Sequence, residues 1–314
     1  MSSKEIKFII IAMCGLLFAP LSAAAQTASL GTTKGGATAQ ISTALSKVIS
    51  AAGVVQVRPQ PMANTSQYIP MVNAGKLDLG IANNPQVWYA VDGSGMSSSP
   101  SPNLRVVATL FPFKAGIVVP TELGIESYAD LAGKSVPRFK ENSLGDFIIK
   151  AALNAGGLDY DDVKSVPTSN FPQMWDAMKQ GKTHIAIAAV GSKPTYDLEA
   201  ALNGITFLPF AASDGPKLAK VLPGAFVREV APNADMPGIK NGTRVFAYDY
   251  LLFTHKDASD AMVSGVLEAL YNGQVELRAA GPLFAEFSAE KIGKNLDLAY
   301  HPAALAFFKT KGIN

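Results

Sequence analysis

Short apolar runs alternate with amphipathic stretches along almost the whole chain, from residue 27 to residue 311. Strands are expected at 27–31, 54–58, 77–82, 104–111, 116–119, 135–138, 163–166, 184–189, 205–208 and 245–254. Helices are expected at 37–51, 66–74, 144–154, 172–180, 195–202, 217–222, 258–272 and 303–311. Strand and helix taking turns in this way is the signature of an α/β fold. Local punctuation agrees with several of these bounds. Thr65 and Ser66 suit a helix N-terminus, Gly75 a helix end, and Gly156-Gly157 another.

The length of 314 residues suggests two domains. Hydrophobic residues at 48% and charged residues at 17% supply two cores and exclude a disordered chain. Pro112 and Pro120 flank the runs 104–111 and 116–119, which read as a strand pair crossing from one lobe to another. A second crossing is expected in 224–241, rich in Pro, Gly and Asn and without clear periodicity. The expected division is lobe one at 26–113, lobe two at 114–230, and a return to lobe one at 231–314. Two crossings make a hinge with a cleft between the lobes.

The first 25 residues read as a cleaved signal peptide. Lys4 and Lys7 precede the apolar run 8–18, and Ala23-Ala24-Ala25 offers a small-residue cleavage site before Gln26. The run is too short to span a bilayer comfortably. Cys14, the one cysteine, lies in this segment, and Ile11-Ala12-Met13 before it is a poor lipidation signal. Cleavage leaves an exported chain of 289 residues without cysteine, which excludes disulfides, cysteine nucleophiles and thiolate metal sites. The formal charge of +2 falls to +1 once Lys4, Glu5 and Lys7 are removed, and no basic run exists. No nucleic-acid partner is expected.

Chemistry concentrates at strand-to-helix turns. Gly31-Thr32-Thr33-Lys34-Gly35-Gly36 follows the first strand and opens a helix, so unsatisfied N–H groups, hydroxyls and an ammonium can meet an anion there. It matches neither the dinucleotide GxGxxG spacing nor a P-loop. Asn64 precedes the second helix, where capping is the ordinary role. Asn83 ends the third strand, on the sheet edge where α/β proteins bind ligands, and Trp88 and Tyr89 follow as pocket walls or core. Arg138 can clamp a carboxylate, with Asn142 and Ser143 opening the next helix. Ser192, in Gly191-Ser192-Lys193-Pro194, repeats the same logic, and Tyr248 and Tyr250 alternate onto one face of a long strand. The enzyme inventory is poor. His184, His255 and His301 are widely separated with no HExxH, no GxSxG occurs, and Asp161-Asp162 reads as solvated charge. No metal or redox cofactor is implied, and binding is favoured over turnover.

The order of motifs resembles the TAXI family of solute-binding proteins, periplasmic receptors of one class of TRAP transporters. The resemblance is carried by Leu30-Gly31-Thr32 with Gly35-Gly36, by Ala63-Asn64-Thr65-Ser66, and by Val72-Asn73-Ala74-Gly75-Lys76-Leu77-Asp78. It continues in Leu104-Arg105-Val106-Val107-Ala108, in Ser127-Tyr128-Ala129-Asp130-Leu131-Ala132-Gly133-Lys134, and in Tyr300-His301-Pro302-Ala303-Ala304. It covers nearly the whole chain beyond the leader. Two departures fall near the ligand: Asn142-Ser143-Leu144-Gly145 stands where the family usually has Ser-Gly-Thr, and Ala37-Thr38-Ala39 replaces an aromatic pair.

The resemblance implies a two-lobed, type II-like periplasmic binding-protein fold. It implies a monomeric, non-enzymatic receptor that passes a small carboxylate to a TRAP-type integral membrane permease. On this view Thr33, Lys34, Gly35 and Gly36 hold one anionic end, and Arg138, Asn142 and Ser143 the other side. Asn64, Asn83, Trp88, Ser192 and Tyr248 complete the walls, and His301-Pro302 is structural. A receptor for an ABC or tripartite tricarboxylate system, or a secreted enzyme or signalling module on the same scaffold, remains the alternative.

Overall fold

A computed structural model describes residues 26–239 and 241–313; the expected signal peptide and Cys14 lie outside the described residues. The chain opens with β1 (Gln26–Thr33), α1 (Gly36–Ala51), β2 (Val55–Met62), α2 (Thr65–Asn73), β3 (Leu79–Asn83) and α3 (Asn84–Asp92). β1 pairs in parallel with both β2 and β3, as helical crossovers require. α1 turns Ile41, Leu45 and Ile49 inward at i, i+4, i+8, each burial stabilising by about 1.5–3 kcal/mol. β2 is the edge strand, which is why Pro59 and Pro61 fit in it. Gly31 is a packing glycine: a Cβ there would lie 2.8 Å from the Tyr68 ring of α2.

Two long strands tie the molecule together. β4 (Leu104–Pro120) pairs antiparallel with β10 (Thr243–His255) along most of their lengths. Between them come β5 (Ser135–Arg138), α4 (Leu144–Ala155), β6 (Lys164–Pro167), α5 (Phe171–Lys179) and β7 (Ala186–Ala189). There follow α6 (Lys193–Leu202), β8 (Ile205–Phe207), α7 (Gly215–Val221) and β9 (Phe226–Val230). After β10 the chain ends in α8 (Asp260–Asn272), α9 (Gln274–Ala279) and α10 (Pro302–Lys311). The main sheet runs β2-β1-β3-β10-β4-β7, with β8 on β4 and β9 on β10, while β5 and β6 pair separately. The far half of β4 carries β7 and β8, and the near half of β10 carries β9. From Tyr250 onward β10 pairs with β3 instead.

Three differences from the sequence reading have physical causes. β4 is one strand of 17 residues and not a pair, because β7 joins it only from Ala115 and leaves Pro112 beside an open edge. Residues 84–92 form α3, started by the Asn83 side chain and Pro85 and stopped by Gly93 at φ +80°. Residues 226–230, read as part of a crossing loop, form β9, because β10 offers them a partner.

Candidate functional site

The N-terminus of α1 is open. Its N-cap, Gly35, has no side chain to satisfy the first-turn N–H groups. Thr33 donates its hydroxyl to the Gly35 carbonyl at 2.8 Å, which shapes the turn, and Lys34 is exposed. Gly36 sits at φ +77°, and a Cβ there would lie 3.1 Å from Trp175 Cη2 on α5. A cavity of about 360 Å³ opens at this point, lined by Gly35, Gly36 and Gln40 on one side and Trp175, Lys179 and Lys193 on the other. Both lysines are already paired, Lys179 with Asp176 and Lys193 with Asp197, each at 2.7 Å. Lys193 N–H also donates to Gln40 Oε1 at 3.4 Å, joining the starts of α6 and α1. Ser192, the N-cap of α6, is 1% exposed, and its side chain makes no capping hydrogen bond.

Behind α1 an aromatic wall covers the two long strands. Tyr248 stacks on Phe113 at 5.7 Å with the rings 3° from parallel, and Phe113 lies 5.1 Å from the Tyr250 ring. The Tyr250 hydroxyl meets Thr38 Oγ1 at 2.6 Å in the first turn of α1. Burial pushes both tyrosine hydroxyls well above their usual pKa, and the Thr38 bond offsets part of this at Tyr250. Both remain protonated donors across the physiological range.

Arg138, Asn142 and Ser143 gather around Asp146 and Tyr160. Asp146 in α4 is fully buried; it accepts from Asn142 N–H at 3.1 Å and the Tyr160 hydroxyl at 3.2 Å, and pairs with Lys150 at 2.8 Å. The Arg138 guanidinium lies flat over the Tyr160 ring, 3.6 Å from its centroid. Asn142 takes a left-handed φ of +61°, and Ser143 caps α4 by accepting from Asp146 N–H at 3.4 Å. Burial, then the Asp146 charge and hydrogen bond, push the Tyr160 hydroxyl up, while Arg138 pulls it down.

The remaining candidates are spent on local structure. Asn83 accepts from Gln86 N–H at 3.1 Å and donates to Gln86 Oε1 at 2.8 Å, while Gln86 in turn donates to Thr65. Asn64 is exposed and accepts from Ser66 at 2.7 Å. Trp88 touches Tyr89 edge-on at 5.5 Å. It is Tyr89 that reaches the distant elements, through its hydroxyl to the Val221 carbonyl at 2.9 Å and its ring to Phe147 at 5.4 Å.

Trp175 and Gln40 were missed by sequence reasoning. Trp175 had a signal in the Pro172–Trp175 spacing at the start of an amphipathic helix, but its partner Gly36 is remote in sequence. His301 accepts from Ala303 N–H at 3.2 Å and caps α10, a structural role. Among the described residues no cluster of His, Cys, Asp and Glu is arranged to hold a metal. No described helix is long and apolar enough to cross a membrane.

The sequence profile of the NMT1-like family matches residues 26–312. The chain belongs to this NMT1-like family. Solved structures share the NMT1-like chain's architecture at low identity. PhnD1 from Prochlorococcus marinus, in complex with methylphosphonate, has a TM-score of 0.54 and 14% identity, covering 92% of this chain and 99% of that one. A binding-protein component of an ABC phosphonate transporter from Pseudomonas aeruginosa gives 0.53 and 11% over 84% and 80%. The periplasmic aliphatic sulphonate-binding protein SsuA from Escherichia coli gives 0.51 and 18% over 83% and 78%. The fold of the NMT1-like chain is therefore the two-lobed α/β periplasmic binding-protein fold, as the sequence led one to expect.

Proposed function

We propose that the protein is an extracytoplasmic receptor, not an enzyme, which closes on a small organic oxyanion and delivers it to a membrane permease. One observation carries this reading. The start of α1, whose glycine N-cap leaves its first N–H groups without a side-chain cap, opens onto a cavity that α5 and α6 line from the other side. The expected lobes, 26–113, 114–230 and 231–314, would be joined through β4 and β10, whose strand partners change along their length. Closure about these strands would bury the ligand and create the form that a permease recognises. Residues 1–25 would direct export to the periplasm and be removed before Gln26, the first residue of β1. The mature receptor would act as a monomer.

The similar structures include a methylphosphonate complex, a component of an ABC phosphonate transporter and a sulphonate-binding protein, which supports an ABC-type permease and a phosphonate or sulphonate ligand. A second reading, a carboxylate receptor for a TRAP permease, is favoured by the TAXI-like motifs, above all Tyr300-His301-Pro302-Ala303-Ala304. A thermal-shift screen of residues 26–314 against phosphonates, sulphonates and carboxylates tests both. A ligand that binds the native state alone raises Tm by mass action, and a receptor returns it chemically unchanged. Selective stabilisation by one class is expected. Turnover of the ligand, or no shift with any class, overturns the proposal.

A further inference from the structure

α3 reaches out of the unit in which it folds. It packs on β3 and β10 beside α2, whereas its side chains meet α4 and α7, which pack on each other and on β5, β7 and β9. The Tyr89 hydroxyl donates to the Val221 carbonyl at 2.9 Å. That carbonyl belongs to the last residue of α7, where the helix itself supplies no donor. The Tyr89 ring lies 5.4 Å from the Phe147 ring of α4. Asn84, the first residue of α3, abuts Gly224 in the turn between α7 and β9, so closely that a Cβ on residue 224 would collide with Asn84 Nδ2. None of these residues lines the cavity beside α1.

The parts of this bridge oppose each other. The Tyr89 bond satisfies a hydroxyl and a helix-end carbonyl, and so favours contact. Asn84 is 8% exposed, and its Oδ1 is buried without a hydrogen-bond partner among the described residues, which penalises contact. Once the turn moves away, water can reach that oxygen. A satisfied bond and an orphaned buried acceptor are comparable in size and opposite in sign. We propose that α3 is a latch between the two lobes, closed by Tyr89 on Val221 and loosened by Asn84 against Gly224, with both states populated in the free protein. The proposal rests on the two-lobed fold and is independent of which ligand the receptor takes. Affinity for a ligand that binds the closed form scales with the closed fraction, so the latch sets the strength of binding for all such ligands alike and leaves the choice between them untouched.

The test is double electron–electron resonance on residues 26–314 without any ligand. This stretch contains no cysteine, so nitroxides on Lys76→Cys, just beyond α2, and Asn154→Cys, in α4, report a single distance between the lobes. Both positions are exposed and lie outside the latch. Two distance populations are expected, and melting curves show that each further variant folds. Tyr89→Phe removes only the hydroxyl and should shift the ratio about fivefold toward the longer distance. Asn84→Leu keeps the shape, removes the buried acceptor and should shift it about fivefold toward the shorter one. A distribution that either folded variant leaves unmoved, or moves in the opposite direction, overturns the latch. These outcomes leave the receptor reading intact because no ligand is added, whereas a thermal-shift screen without a hit overturns that reading and not the latch.

Discussion

Gly36 carries two constraints at one position. Its φ of +77° is a region that an L side chain enters at a cost of about 1–2 kcal/mol, and a Cβ would press on Trp175 at 3.1 Å. Gly36→Ala should lower stability by about that amount and also hold α5 away from α1, which urea denaturation and ligand titration would read together. His184 is constrained by charge. Its Nδ1 accepts from Ser135 N–H at 2.9 Å, and burial, then Lys134 and Lys164, hold its pKa below the usual 6.5. Below that value the unfolded chain takes a proton that the native imidazole refuses, so stability falls as pH drops through this window. His184→Gln should flatten the fall between pH ~7.5 and pH ~5.5 in urea melts.

At the scale of elements, signals within a few residues were legible and pairings between distant segments were not. The helix over 37–51 follows from its apolar spacing, and the glycine turn before it marks the cavity. β4 read as two strands because Pro112 looks like a breaker until one knows that its neighbour β7 starts three residues later. α3 had its cap, Pro85 and Gly93, but its polar and aromatic composition gave no helical period. The lobe-two candidates Arg138, Asn142 and Ser143 were legible as a cluster, whereas Asp146 and Tyr160, which position them, were not. Asp146→Ala would strip the Asn142 N–H and the half-buried Tyr160 hydroxyl of their fully buried acceptor and leave Lys150 without this partner. It should cost about 2–3 kcal/mol, with Asp146→Asn costing less, measured by denaturation at neutral pH.

For the whole molecule, the return segment is fastened to β4 and β9. Glu286 accepts from Lys114 of β4 at 2.8 Å and from Arg228 of β9 at 2.9 Å. Desolvation raises its pKa, but the Lys114 hydrogen bond and the charges of Lys114, Arg228 and Lys291 outweigh this and hold it below the usual value. These partners are partly exposed, so Glu286→Gln should lower stability by no more than about 1 kcal/mol. Its larger effect is expected on ligand affinity, because it loosens a contact beside the hinge; denaturation and titration of the same variant would separate the two.

The claim that a small oxyanion binds between α1 and α5–α6 is tested most directly at Trp175, which lines the cavity from the second lobe. The chain has two tryptophans, so Trp88→Phe leaves Trp175 as the single reporter. Titrating that variant with succinate, ethanesulphonate and methylphosphonate should give a saturable change in Trp175 emission with one of them, and the ligand should be recovered unchanged. Calorimetric binding that leaves Trp175 silent, or no response to any of the three, would contradict the account.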